Sequence, residues 1–162
     1  MKRGLIATVC GLLIVLALAV TLPRGEAAAV GSDNVITAAG AGVFPAGANV
    51  LGIELAGGTF GVGAQSSTTG QALGTLEVQY NGTSLIGLSQ WLTVNGWITS
   101  ATVNPDGSVT LNGTGTLDMG DGTPPTGGLA LVATLNSTGI AVSIGSTTFP
   151  TLPKSDGWSF VE

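Results

Sequence analysis

The stretch ALGTLEVQY, residues 72–80, decides the fold class of this chain. Apolar and polar residues alternate along it, and the apolar set is Ala72, Leu76, Val78 and Tyr80. A period of two residues is that of a β-strand with one buried face. GSVTLNGTGTLDM, residues 107–119, repeats the alternation. Both stretches therefore predict half-buried strands.

Turn sequences separate these runs at short intervals. The stretch 104–108, NPDGS, is a proline-led turn, Asn95-Gly96 is typical of a two-residue hairpin loop, and Asn81-Gly82 ends the preceding strand. Further strands are expected near residues 34–38, 49–55, 59–66, 84–94, 128–136, 139–145 and 157–161. The pattern predicts an all-β domain, residues 30–162, built as a single antiparallel β-sandwich of immunoglobulin-like or jelly-roll-like form. A single sheet that closes on itself is the alternative.

Glycines crowd around Phe60 in AGGTFGVGA, residues 56–64. Glycine within a strand marks a bulge or a close approach of two backbones. We expect sheet curvature and tight packing against the Phe60 ring at this place.

Residues 1–29 differ in kind from the rest of the chain. A positively charged start precedes an unbroken apolar run, residues 5–22, and small residues follow at 27–29. This order predicts a signal peptide that is cleaved before Val30. An uncleaved membrane anchor and a pilin-type leader cut after Gly4 are the alternatives. Each of the three predicts an extracellular or cell-surface protein.

The composition of residues 30–162 excludes several kinds of chemistry. Of the nine acidic residues only Glu26 lies in the leader, and Lys154 is the one base beyond it, so the net charge there is −7. One cation cannot neutralise phosphates, which argues against nucleic acid and against anionic lipid as partners. The chain has no histidine, and its single cysteine, Cys10, lies in the leader. We therefore expect no disulfide, no zinc site and no serine–histidine relay.

The Asn95-Gly96 hairpin, taken literally, sorts the tryptophans that flank it. It places Trp97 in the core with Leu92, Val94, Ala101 and Val103. The other face then carries Trp91 with Thr93, Ile98 and Ser100. An exposed indole on a sheet stacks against sugar rings, so Trp91 is the candidate ligand-binding residue of a carbohydrate-binding module. Packing of Trp91 under a loop is the structural alternative.

Acidic residues supply two weaker candidates. Glu54 and Glu77 lie inside predicted strands and would be the acid and base of a glycosidase if they faced one cleft. Asp118 and Asp121 lie three residues apart in a glycine-rich loop, which is the composition of a weak calcium site. That loop also contains Gly120, Gly122 and Pro124-Pro125, a composition that favours an ordinary turn over a calcium site. We expect no catalytic residue and no cofactor, with calcium as the one exception to test.

Three Asn-X-Thr triplets, at Asn81, Asn112 and Asn136, match the signal for N-glycosylation, which has meaning only in a host that glycosylates.

Four short motifs occur in an order that resembles the post-COAP type of domain found in secreted prokaryotic proteins. They are Ile36-Thr37, Thr59-Phe60-Gly61-Val62, Gly74-Thr75-Leu76-Glu77-Val78 with Tyr80, and Gly113-Thr114-Gly115-Thr116. The resemblance covers most of residues 34–145 and implies a secreted β-domain. It carries over no catalytic residue, and the final segment TLPKSDGWSFVE, residues 151–162, has no counterpart in it.

The function expected from the sequence is that of a secreted or cell-surface structural or adhesive protein without catalytic activity. A carbohydrate-binding module is the first alternative, and a pilin-like or surface-layer subunit is the second. The partners that follow are a polysaccharide or other copies of the chain.

Overall fold

The structure, a computed structural model, describes residues 34–161. Its regular elements in that range are all β-strands. They are β1 Asn34–Val43, β2 Asn49–Val50, β3 Ile53–Ser66, β4 Gln71–Ser84, β5 Ser89–Val103, β6 Val109–Asp118, β7 Thr126–Asn136, β8 Gly139–Ile144, β9 Thr147–Thr148, β10 Leu152–Pro153 and β11 Asp156–Val161. The all-β prediction is confirmed. The predicted leader, residues 1–29, lies outside the described residues.

The strands form one antiparallel sheet in which neighbours in sequence are mostly neighbours in space. The order across the sheet is β10-β8-β7-β6-β5-β4-β3-β1-β11, with β2 paired to β3 and β9 paired to β8. Most connections are therefore hairpins, and the long central strands β3, β4 and β5 carry the most extensive pairing. The sheet curls, because its ladders shift at bulges such as the one between Leu55 and Gly57.

Residues 152–161 join the two ends of this curled sheet. β10 pairs with β8, the last strand of the meander, and β11 pairs with β1, the first. Between them the Lys154 amide donates to the Thr138 carbonyl at 2.7 Å and the Ser155 amide donates to the Ala41 carbonyl at 3.0 Å. The predicted sandwich of two separate packed sheets is thus not confirmed, since backbone hydrogen bonds connect the main strands into a single sheet.

The apolar face predicted for residues 72–80 points into the interior of the curl. There the Tyr80 ring stacks on the Phe149 ring at a centroid distance of 4.4 Å. It also contacts the Phe44 ring, tilted, at a centroid distance of 6.1 Å. The Tyr80 hydroxyl is buried and has no hydrogen-bond partner among the described residues. Burial raises the pKa of this phenol well above its ordinary value, so that it stays neutral.

The turn at 104–108 is confirmed, whereas the Asn95-Gly96 hairpin is wrong. β5 runs without interruption through both residues, and Gly96 does not have the positive φ that such a turn requires. Its role is steric: a Cβ at Gly96 would lie 2.2 Å from Cδ2 of Leu131. The glycine therefore allows close packing inside the curl.

The predicted strand end at Asn81-Gly82 is wrong for the same reason. β4 continues to Ser84, and the loop to β5 is residues 85–88. A Cβ at Gly82 would lie 2.4 Å from the Glu54 carbonyl oxygen. Phe60 is tightly packed, but not by the glycines that flank it in sequence, because a Cβ at Gly61 or Gly63 would meet nothing within 4 Å. The glycine that makes room for the ring is Gly40 on β1, where a Cβ would lie 2.7 Å from it.

Two glycine-to-alanine substitutions test this account of the interior. A Cβ at Gly113 would lie 1.8 Å from the Trp97 carbonyl oxygen, so Gly113→Ala forces the backbone to move. We expect it to lower the free energy of unfolding by about 1–3 kcal/mol, the usual effect of overpacking. Gly61→Ala is the matched control, since a Cβ there meets nothing within 4 Å. Urea unfolding followed by circular dichroism measures both, and equal midpoints for the two variants would contradict the account.

Candidate functional site

The unbroken course of β5 places two tryptophans on the outer face of the sheet. Trp91 is 57% exposed, as predicted, and Trp97 is 70% exposed. The prediction of Trp97 in the core was wrong, because a hairpin would have reversed the chain between them, whereas in one strand residues 91 and 97 share a face. Leu92 and Val94 are buried as predicted.

The same misplaced hairpin led to further errors beyond Trp97. Ile98 was assigned to the polar face and is buried, and Val103 was assigned to the core and is exposed. A register shift between Ile98 and Ser100 restores Ala101 to the interior, where it was expected.

A groove lies beside the Trp97 ring on this outer face. It has a volume of about 450 Å³ and is lined by Gly61, Val62, Gly63, Thr75, Leu76, Glu77, Asn95, Gly96 and Trp97. Gly61 and Gly63 form its floor, since a Cβ built on either one meets nothing within 4 Å. The absence of side chains at these two positions keeps the groove open. We call it the Trp97 groove.

Polar groups stand at the rim of the Trp97 groove. Glu77 pairs across the sheet with Gly61 on one side and with Asn95 on the other. The exposed carboxylate of Glu77 accepts a hydrogen bond from Nε2 of Gln79 at 2.7 Å. A flat apolar ring, a carboxylate and an amide therefore face one open depression, which is the composition of a site for a polar ligand with an apolar face.

A second depression adjoins this groove at the far side of β1. It has a volume of about 290 Å³ and is lined by Ala39, Gly40, Ala41, Asp156, Gly157 and Trp158. Ala39 pairs with Gly61 on β3 and with Trp158 on β11, so the two depressions meet at the Ala39–Gly61 pair. Trp158 is 55% exposed. All three tryptophans of the chain are therefore on the surface.

Sequence reasoning missed Trp97 and Trp158 as candidate site residues. The segment 157–161 was expected to be a strand, but no role was given to its aromatic residue. The signal for Trp97 was present: Trp91, Thr93, Asn95 and Trp97 form one uninterrupted alternation with the apolar residues Leu92 and Val94. The Asn-Gly turn signal overrode that alternation.

The two glutamates do not converge on one cleft. Glu54 pairs with Thr83, six residues along β4 from Glu77, which puts the two at about 20 Å from each other along the strand direction. Both are exposed. A glycosidase needs its two carboxyl groups within about 10 Å. The two residues therefore do not form an acid–base pair, and the expectation that the protein is not an enzyme stays a prediction.

Asp118 and Asp121 each organise a turn in the loop between β6 and β7. Oδ1 of Asp118 accepts from the Gly120 amide at 2.8 Å, and Oδ1 of Asp121 accepts from the Thr123 amide at 2.9 Å and from its hydroxyl at 2.6 Å. The hydroxyl and amide of Thr123 hold the pKa of Asp121 below its ordinary value. Within residues 34–161 no three acidic, histidine or cysteine side chains are grouped around a common metal position. Calcium binding at this loop stays a prediction.

Apolar side chains protrude from the end of the sheet that lies opposite Asn34. They are Leu51, Leu85, Ile86 and Leu88, which we call the apolar tip. Leu85 and Ile86 are 88% and 81% exposed. Leu51 has a φ of 50°, a left-handed conformation that is strained for a leucine. The apolar tip is thus a second unusual surface, separate from the Trp97 groove.

Comparison with protein-family models, with curated proteins and with solved structures finds no match for this chain. The resemblance to post-COAP domains therefore remains a prediction. Within the described range, no helix has the length and apolar character needed to cross a membrane.

Tryptophan fluorescence tests the outward position of the indoles. Because all three rings are more than half exposed, we expect the native emission maximum to lie close to that of the urea-unfolded protein. We also expect acrylamide to quench native and unfolded protein to a similar extent, and Trp97→Phe to change the free energy of unfolding by less than about 0.5 kcal/mol. A blue-shifted native emission that Trp97→Phe removes would mean that Trp97 is buried after all.

Proposed function

We propose that this protein is a non-catalytic adhesive domain, exported by its N-terminal segment, that binds neutral polysaccharide at the Trp97 groove. The observation that carries the proposal is the exposed Trp97 ring beside a floor of two glycines, with Glu77 and Asn95 at the rim. Nothing in the interior packing requires a large indole to face water at this position.

A sugar ring has an apolar face and polar edges, and both match groups at the Trp97 groove. The C–H groups on one face of a pyranose pack against an indole plane, and its hydroxyls at the ring edge bond to carboxylate and amide groups. The hydrogen bond from Gln79 to Glu77 orients the carboxylate before a ligand arrives. Preorganisation of this kind lowers the entropy lost on binding.

The charge of the outer face favours a neutral glycan over an acidic one. Glu77 lies at the Trp97 groove, and Asp118 lies two strands from Glu77, on β6. Asp156 lines the adjoining depression. The one lysine or arginine of residues 34–161, Lys154, has its Nζ 3.4 Å from Oγ of Ser159. Uronic acids, nucleic acids and anionic lipids would be repelled from such a surface.

Export and surface location rest on the leader and on composition. A positive start, the apolar run 5–22 and the small residues 27–29 support a signal peptide, and the resemblance to secreted post-COAP domains agrees with this. An adhesive role needs no catalytic group, which fits a chain without histidine in which Glu54 and Glu77 stand far apart.

Retention on insoluble glycans tests the proposal. We expect the protein to be retained on at least one of cellulose, chitin, mannan and β-1,3-glucan, and to be retained less on polygalacturonate. Trp97→Ala removes the stacking surface, and Gly61→Val fills the groove without meeting a neighbouring atom at its Cβ. Each should weaken retention by about tenfold or more, as truncation of a central aromatic does at other binding sites.

Val132→Ala, an exposed apolar position on β7, is the control and should bind like the wild type. Circular dichroism verifies that each variant is folded. A wild-type protein that none of the four neutral glycans retains, or a Trp97→Ala variant that binds normally, would refute the proposed site.

The apolar tip favours a second candidate function, assembly with other copies of the chain on a cell surface. Leu85 and Ile86 stand almost free of the rest of the protein, and Leu51 has a left-handed φ that glycine or asparagine would adopt with less strain. Four side chains are far fewer than the roughly 20–30 residues a side of a stable interface. A contact made by the apolar tip would therefore hold copies of the chain together weakly, as in an array, and association would increase with concentration. It would not produce a tight dimer.

Sedimentation velocity over a range of concentrations tests the assembly. We expect the wild type to associate as its concentration rises and the double variant Leu85→Ser/Ile86→Ser to stay monomeric, because the apolar surface is lost. Leu73→Ser is the control, since Leu73 is a leucine 72% exposed at the opposite end of β4. A wild type that stays monomeric throughout would exclude this role for the apolar tip.

A further inference from the structure

We infer that the ligand of the Trp97 groove is a polymer bound as an extended chain, which crosses the strands from Trp97 to Trp158. The inference rests on the proposed function. It adds the length of the bound ligand, the direction in which it crosses the sheet and the residue at which the site ends. It assigns to Trp158, on the strand that closes the sheet, the role of a second stacking surface.

The register of the strands fixes how far apart the two tryptophans are. Trp97 on β5 pairs with Thr75 on β4, which pairs with Gly63 on β3 and then with Thr37 on β1. Trp158 lies on β11, the next strand, two residues from the partner of Thr37. Four strand spacings and one step of two residues give about 20 Å along the sheet. A single sugar or a disaccharide is too short to touch both rings.

The surface between the two rings is unusually low. Gly61 and Gly63 have no side chain, and Ala39 follows them on β1. The Trp97 groove and the Trp158 depression meet where Ala39 pairs with Gly61. Large rings stand at the two ends of this path. Thr75 and Thr37 also lie on it, and both side chains are short. The low surface suits a ribbon-like chain better than a compact ligand.

The other direction, along β5 from Trp97 to Trp91, has a different surface. Thr93 and Asn95 lie between those two rings, and Gln79 and Glu77 pair with them on β4. These side chains stand above the sheet, and the groove beside Trp97 does not extend to Trp91. A bound chain therefore follows the low path toward Trp158. Asp156 and Glu77, one near each end of that path, keep acidic polymers out.

Isothermal titration with oligosaccharides of two to six units tests the inference. The probes are the cello-, manno-, chito- and laminari-oligosaccharides, which match the four polysaccharides named above. For the series that binds, we expect affinity to rise by at least about tenfold from the disaccharide to the hexasaccharide. Trp158→Ala should abolish this gain and leave disaccharide affinity within about twofold of wild type, since the short ligand contacts Trp97 alone.

Two further variants make the outcome independent of any one substitution. Ala39→Leu raises the floor beside Trp158, on the side that faces Trp97, and should also remove the gain with length, although both tryptophans remain. Trp91→Ala should keep the gain. If the gain survives in Trp158→Ala and Ala39→Leu, or if Trp91→Ala removes it, the path across the strands is wrong while the Trp97 site stands. If no oligosaccharide binds the wild type, the proposed function itself fails.

Discussion

The fit of inward-facing glycines against the neighbouring strands is the constraint on which the rest of the molecule depends. Where the sheet curls, a Cβ at Gly96 would overlap Leu131, and a Cβ at Gly113 would overlap the Trp97 carbonyl. Glycine at these places lets the strands approach and remain continuous. Because β5 continues through Gly96, Trp91 and Trp97 emerge on one face, and the surface available to a ligand follows from that packing.

The alternation of apolar and polar residues was enough to predict an all-β chain with antiparallel strands. It also predicted the burial of Leu92 and Val94 and the exposure of Trp91. It could not predict one sheet instead of two, because pairing between β1 and β11 joins residues more than a hundred positions apart. The Asn95-Gly96 dipeptide was misleading, since asparagine followed by glycine marks a turn only when the glycine takes a positive φ. Here the glycine serves close packing, which local sequence does not reveal.

The sequence predicted only part of the candidate site, because the site depends on pairing between strands that are distant in sequence. Its aromatic residues lie on β5 and β11, and its floor lies on β3, so that only the register of the whole sheet brings them together. Of the acidic candidate residues, only Glu77 lies at this site. Asp121 orders a turn through Thr123, and Glu54 stands far from Glu77. The proposed binding surface consists of residues with ordinary chemistry in an unusual arrangement: exposed indoles beside glycines.

Closure by residues 152–161 has a consequence for how the molecule reaches its native state. One edge of β1 stays unpaired until β11 pairs with it. Because the two strands lie more than a hundred residues apart in sequence, the fold has a high contact order and should form slowly. Slow folding agrees with the proposed export, because a chain that crosses a membrane channel has to stay unfolded until it has passed. Trp158 lies on β11, so the proposed binding path from Trp97 is complete only when β11 has paired with β1.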